Sequence, residues 1–159
     1  MTRLPRPAAA VLAGIVLFVV PAAADAPREQ YERFDGDSTT IRDFFTKLEW
    51  DRRGVLGNVT FAGAAGGCPT VASLENVGRL PTVKELLTII DEEPHEEYEF
   101  GAIVSKTIDD LAFKDTPAGL PYWTSTPAPG IGMFWTVSFQ TGKMEPREQS
   151  TKANARCVR

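Results

Sequence analysis

Apolar positions recur at helical spacing most clearly in one segment. Val83, Leu86, Leu87 and Ile90 fall at i, i+3, i+4 and i+7, with Lys84, Glu85, Thr88 and Asp91 on the remaining positions. That spacing predicts an amphipathic helix with one face toward a core. Its start is marked by Thr82 as N-cap with Glu85 three residues on, the two halves of a capping box, while Pro81 keeps the preceding chain extended. Pro94 bounds the far end, so the helix is expected over about 82–93.

Elsewhere the pattern is that of short strands. Residues 39–43 and 48–52 alternate and read as an opening hairpin, preceded by a turn at Phe34-Asp35-Gly36-Asp37. Tyr122-Trp123-Thr124-Ser125-Thr126 is dense in β-formers and residues 134–139 alternate. Gln140-Thr141-Gly142-Lys143 supplies a hairpin turn, and residues 153–158 fit a closing strand. Trp135, Val137 and Phe139 share one strand face and, with Trp123, read as sheet core rather than as a sugar-stacking platform. Residues 107–113 suggest a helical turn and 115–119 a reverse turn. The stretch 54–67 is Gly/Ala-rich with weak periodicity and reads as loop with a short strand at 59–61. Within 53–78 the pattern specifies little more. The outcome is an α+β domain with short antiparallel strands, one capped helix and long loops.

The amino terminus changes the setting. Arg3 and Arg6 precede an apolar stretch over residues 8–20, and Ala22-Ala23-Ala24 forms a small-residue cleavage site. Residues 1–24 therefore read as a signal peptide cut after Ala24, with cleavage after Ala26 as a second possibility and an uncleaved anchor as the bland alternative to both. The apolar run is short for a spanning helix, no Cys follows it to carry a lipid, and no later stretch is long and apolar enough to cross a bilayer. The mature chain is expected in the periplasm or secreted, without stable membrane insertion. Residues 25–30 form a polar lead-in expected to be disordered, and residues 31–159 form a single domain. In an oxidising compartment Cys68 and Cys157 are expected to pair. A metal pair or a redox pair are the alternatives, but two cysteines this far apart without a partnering His make neither a zinc motif nor C-x-x-C.

Charge narrows the partners. Against 17 basic side chains stand 21 acidic ones, a formal net charge of −4 that becomes more negative once Arg3 and Arg6 are removed. Nucleic acid, anionic lipid and sulfated polysaccharide all call for a basic footprint, whereas neutral glycans and proteins do not.

The ordered landmarks resemble the Lcl C-terminal domain family, also known as domain of unknown function 1566. They are Tyr31, Thr39, Asp43, Thr46, Leu48 and Trp50; Arg79-Leu80-Pro81-Thr82 with Glu85-Leu86; Ile108-Asp109, Phe113 and Thr116-Pro117; Tyr122 through Thr126; Trp135 through Phe139 with Gly142; and Arg156-Cys157-Val158-Arg159. The resemblance implies a C-type-lectin-like fold related to the formylglycine-generating enzymes, with glycan recognition at the tip of an adhesin as one functional precedent and oxidation as another. Two departures stand out: Gly78 where the family usually has Trp, and Gly66-Gly67-Cys68-Pro69 interrupting a helix that the family often carries beside its first Cys.

The residue inventory gives little support to catalysis. An oxidase of the related kind needs reactive cysteines, and both cysteines here look committed to each other. The only histidine, His95, lies in an acidic stretch with Asp91, Glu92, Glu93, Glu96, Glu97 and Glu99, which reads as a solvated loop without the order of a calcium loop. His95-Glu96-Glu97-Tyr98-Glu99 lacks the second His of a zinc hydrolase, and no G-x-S-x-G is present. Glu145-Pro146-Arg147 echoes the lectin Glu-Pro-Asn, but Arg147 cannot ligate calcium, so the tripeptide reads as a surface turn. Arg79, Pro81, Thr82 and Glu85 read as structural, with Arg79 anchoring the entry to the helix through carbonyls or a carboxylate. No catalytic residue, metal or cofactor is assigned. The expected function is an exported, non-catalytic interaction domain for an unknown glycan or envelope protein. A purely structural envelope domain is the alternative, and a formylglycine-generating-enzyme-like oxidase a remote one. Ligand contacts are expected in the loops over 94–121 or 126–133. Intact mass of the exported protein should correspond to a chain starting at Asp25; a species retaining residues 1–24 would contradict the signal-peptide reading.

Overall fold

The computed structural model describes residues 30–31, 39–99 and 101–159. The signal segment, the lead-in up to residue 29 and the turn expected at Phe34 to Asp37 lie outside the described residues. Gln30 itself is buried: its side-chain amide donates to Asp43 and, at 3.2 Å, to the Thr88 carbonyl.

The opening hairpin forms as its alternation predicts. Strand β1 (Thr40–Arg42) pairs antiparallel with β2 (Glu49–Asp51), placing Ile41 opposite Trp50, both in the core. Asp43 closes the turn by accepting from the backbone N–H groups of Phe45 and Thr46 at 2.8 and 3.2 Å.

The stretch between this hairpin and Arg79 departs from the expected loop. Strand β3 (Leu56–Val59) comes earlier than residues 59–61, and Phe61 opens a helix, α1 (Phe61–Gly67). Thr60 caps it by accepting from the Gly63 N–H, and Ala64 is its buried contact. The glycines end this helix instead of preventing it. A Cβ on Gly67 would lie 2.6 Å from Leu56 Cδ1, so a larger residue there would have to push the end of the Leu56 side chain aside. Cys68 and Pro69 then begin a new 3-10 turn (Cys68–Thr70), in which Pro is tolerated near the start. Gly78 has a similar cause, since a Cβ there would sit 2.6 Å from the Cys68 carbonyl oxygen.

Helix α2 (Val83–Leu87) begins at Thr82 as expected but stops well short of residue 93. The Thr88 N–H and hydroxyl both turn back to the Glu85 carbonyl, and the Asp91 N–H then bonds the Thr107 carbonyl at 2.8 Å. Tertiary pairing thus draws the backbone out of the helix, while Leu86 and Ile89 stay buried. In the acidic stretch that follows, residues 91–94 are loop as expected, but the rest is not. Residues His95–Glu99 form β4, paired antiparallel with β5 (Ala102–Lys106) across a turn that uses Gly101 at φ +91°.

The main sheet is completed by β6 (Tyr122–Pro127), β7 (Met133–Val137), β8 (Met144–Glu148) and β9 (Ala153–Ala155), in the order β3-β9-β6-β7-β8. Its neighbours are antiparallel except β6 and β9, which run parallel. Adjacent residues divide between two cores. Tyr122, Val137, Phe139 and Val158 join Ile41, Trp50, Leu86, Ile108 and Phe113; Trp123, Ala153, Ala155 and Cys157 join Ala64, Leu74 and Leu80. Both faces of the sheet centre are therefore covered.

Glu145-Pro146-Arg147 is not a surface turn but the middle of edge strand β8. Ser138 donates to the directly opposed Lys143, which makes that pair hydrogen-bonded and the Trp135/Pro146 pair non-hydrogen-bonded by alternation. Pro146 thus loses no bond to β7, and it removes a donor from the open edge.

Cys68 and Cys157 are bonded to each other, both buried, with Cα atoms 5.4 Å apart. Arg156 beside them is fully buried. Its guanidinium donates to the carbonyls of Asp51 and Arg52 and to Thr116 Oγ1 and lies over the Phe113 ring, and burial lowers its pKa. Replacing both cysteines by Ala should destabilise the domain by about 4 kcal/mol, because the bridge closes a long loop in the unfolded chain. Urea unfolding of the two proteins would measure this; equal midpoints would show that the bridge adds no stability.

Candidate functional site

The Arg79-Leu80-Pro81-Thr82 segment is held by bonds on all sides. The Arg79 backbone exchanges two hydrogen bonds with Val158, at 2.8 and 3.0 Å. Its guanidinium forks onto the Glu85 carboxylate at 2.7 and 2.8 Å and also donates to the Leu80 carbonyl. Glu85 in turn accepts the Thr82 N–H at 2.7 Å, while Thr82 Oγ1 accepts the Glu85 N–H at 3.2 Å. The Pro81 carbonyl takes the Ser125 N–H, and the Val83 N–H reaches Thr126 Oγ1, so the segment is fastened to β6. Anchoring is what this geometry does. The carboxyl of Glu85 is held at about 2, below its ordinary 4.5, chiefly by the Arg79 hydrogen bond; partial burial opposes this and the Thr82 N–H reinforces it.

The two tryptophans separate. Trp123 is buried, donates from Nε1 to the Val59 carbonyl at 3.0 Å and meets Phe61 edge-on. Trp135 differs from its expected place in the sheet core: it is half-buried and belongs to neither core cluster. It shares the strand face of Val137 but lies two positions nearer the outer end of β7.

Among the remaining surface features, the β4–β5 hairpin stands apart. Neither strand contributes a side chain to either core cluster, so the pair forms an arm outside the cores. Its root is fixed through Thr107, whose carbonyl accepts from Asp91 and whose N–H and hydroxyl both donate to the Phe139 carbonyl. A charged network secures the inner face. Lys106, with its side chain only 3% exposed, pairs with Glu97 and lies 3.5 Å from Asp110, while His95 Nε2 lies 2.6 Å from the other Asp110 oxygen. A buried ammonium needs such carboxylate partners.

The opposite face is different. Tyr98 and Ile103 are directly opposed across the ladder and are 72% and 68% exposed, with Glu96 opposite Ser105 beside them. Directly opposed residues share a face, so these four lie together. Leu111, adjoining Asp110, is 80% exposed. The second expected loop, 126–133, is a tight connection with Gly130 and Gly132 at positive φ and Ile131 fully exposed at its tip. Tyr98 and Ile103 went unrecognised in the sequence because the glutamates around them read as a loop; the signal that could have found them is the β-forming run Ala102-Ile103-Val104 after Gly101.

Among the described residues, no group of three or more His, Cys, Asp or Glu side chains is placed to hold a metal ion, and no helix is long and apolar enough to cross a membrane. Fold and surface together define a disulfide-stapled α+β scaffold that fixes its sequence motif internally and presents a hairpin. The chain belongs to the Lcl C-terminal domain family, whose model matches residues 39–159. No curated protein matches it.

Because the Glu85 pKa is depressed by folding, its stabilising contribution is present above about pH 4.5 and is lost as pH falls toward 2. Glu85→Gln should lower stability at neutral pH by about 1 kcal/mol and flatten its fall between pH 4.5 and 2. Urea unfolding of both proteins across that range measures it, and parallel curves would rule out the Arg79–Glu85 pair as a source of acid sensitivity.

Proposed function

We propose that this is an exported, non-catalytic recognition domain that binds another protein of the cell envelope through the end of the molecule carrying β4 and β5. The observation that carries the reading is the Tyr98/Ile103 pair, held exposed on an arm whose root is pinned to the core. Exposed aromatic and aliphatic side chains on a rooted element are typical contact residues, since they bring large apolar area at little cost in ordering. The buried disulfide suits an oxidising compartment.

A protein partner is favoured over a calcium-bound sugar. Glu145, Pro146 and Arg147 lie along a strand, where neighbouring side chains point to opposite faces, and Arg147 brings a cation to the position that would need a metal ligand. Oxidase chemistry of the related kind would require free thiols, and both cysteines are taken up in the bridge. The polar groups of the Arg79 segment are engaged with one another, which suits a scaffold role for them.

A photo-crosslinking amino acid in place of Tyr98 should yield discrete protein adducts in the native envelope, whereas the same group in place of Lys143 should not. A glycan array with and without calcium should show no calcium-dependent signal. Absence of adducts at position 98 would favour a purely structural domain, and calcium-dependent glycan binding would overturn the protein-binding reading.

A further inference from the structure

The charge around the exposed hairpin face indicates what kind of surface it fits. Glu92 and Glu93 are exposed in the segment just before β4, and Glu96, also exposed, lies on the same face of the hairpin as Tyr98 and Ile103. From Asp91 to Phe113 the sequence contains one lysine, no arginine and one histidine. That lysine, Lys106, is buried against Glu97 and Asp110 on the opposite face, and His95 is engaged by Asp110. The exposed apolar pair therefore has the Glu96 carboxylate beside it on its own face, while the one lysine of this stretch is turned inward.

We propose that the outer face of the β4–β5 hairpin docks a basic segment of a partner protein, with aliphatic side chains of that segment covering Tyr98 and Ile103 and its lysines or arginines meeting Glu96 and the neighbouring Glu92 and Glu93. This rests on the recognition reading above and adds the chemistry of the partner. Three occupants compete for the same face. A second copy related by a two-fold axis would bring Glu96 and its neighbours against their own counterparts, and like charges across a contact are repulsive. An anionic bilayer is repelled for the same reason. A basic protein segment satisfies both the carboxylates and the apolar pair. Rim charges of this kind speed encounter and make binding sensitive to salt, while the apolar pair supplies the buried contact.

The probes are three soluble peptides of equal length: one alternating lysine and leucine, one alternating glutamate and leucine, and one of lysine with glycine and serine. Each is titrated into the isotopically labelled exported protein and followed by amide chemical shifts. The lysine–leucine peptide should give saturable shifts centred on Tyr98 and Ile103, and its affinity should fall about ten-fold when salt rises from about 50 to 300 mM. The lysine–glycine–serine peptide should bind at least ten-fold more weakly. Both Tyr98 and Ile103 are exposed, so Y98S/I103S should fold and lose the shifts, and E96K should weaken binding with the apolar pair intact. Equal binding of the glutamate–leucine peptide, shifts centred elsewhere, or no binding by any peptide would overturn the proposal. Protein adducts at position 98 without peptide binding would leave the recognition reading standing and remove the basic partner; absence of both would remove both.

Discussion

Everything in this domain is built around its last seven residues. Residues 153–155 form β9 within the main sheet, Cys157 bonds Cys68, and Val158 pairs by backbone with both Trp50 and Arg79. Arg159 reaches Glu49 and Glu75. Between these, Arg156 places a guanidinium in the interior, bridging the carbonyls after β2 and the hydroxyl of Thr116. Burying that charge is costly unless its donors are satisfied. The partners of its two Nη atoms come from distant segments, which ties the opening hairpin and the residue 116 turn to the end of the chain, while Nε is left without a hydrogen-bond partner. An outer strand can fray without consequence, but this one cannot leave without stranding a buried cation.

The same constraint holds the Arg79 segment in place. It lies against Val158, its guanidinium is closed onto Glu85, and its carbonyls are used by β6. Groups already bonded to one another have little left to offer a ligand. The β4–β5 arm is the converse case. It contributes little to either core, so its outer face is free of packing demands. What ordering it needs comes from its root at Thr107 and from the ion pairs of Lys106. A packed body carrying a rooted projection suits the proposed recognition role, because it separates the residues that hold the fold from an outer face left open.

Some features were plain in the one-dimensional pattern because they depend on near neighbours. The capping box at Thr82 and Glu85, the opening hairpin and the Gly142 turn involve contacts over a few residues, and each forms as expected. The pairing of Cys68 with Cys157 was legible from the expected oxidising compartment and from the absence of any other cysteine. The errors share an opposite cause. Helix α2 is cut short by the Asp91–Thr107 bond; α1 places Ala64 in the core it shares with Trp123 and Cys157; and Pro146 is accommodated because its strand is at an edge. None of these partners is close in sequence.

The sequence by itself determined the α+β class, the start of α2 and the pairing of the two cysteines, because local hydrogen bonding, side-chain period and the cysteine inventory suffice for these. Only the tertiary structure decided that the glutamates after Pro94 form a hairpin with Tyr98 and Ile103 outward and Lys106 inward. Charge alone reads as solvated loop. A strand pairing made across Gly101, and a buried ammonium that must find Glu97 and Asp110, are what turn that stretch into an arm with two unlike faces.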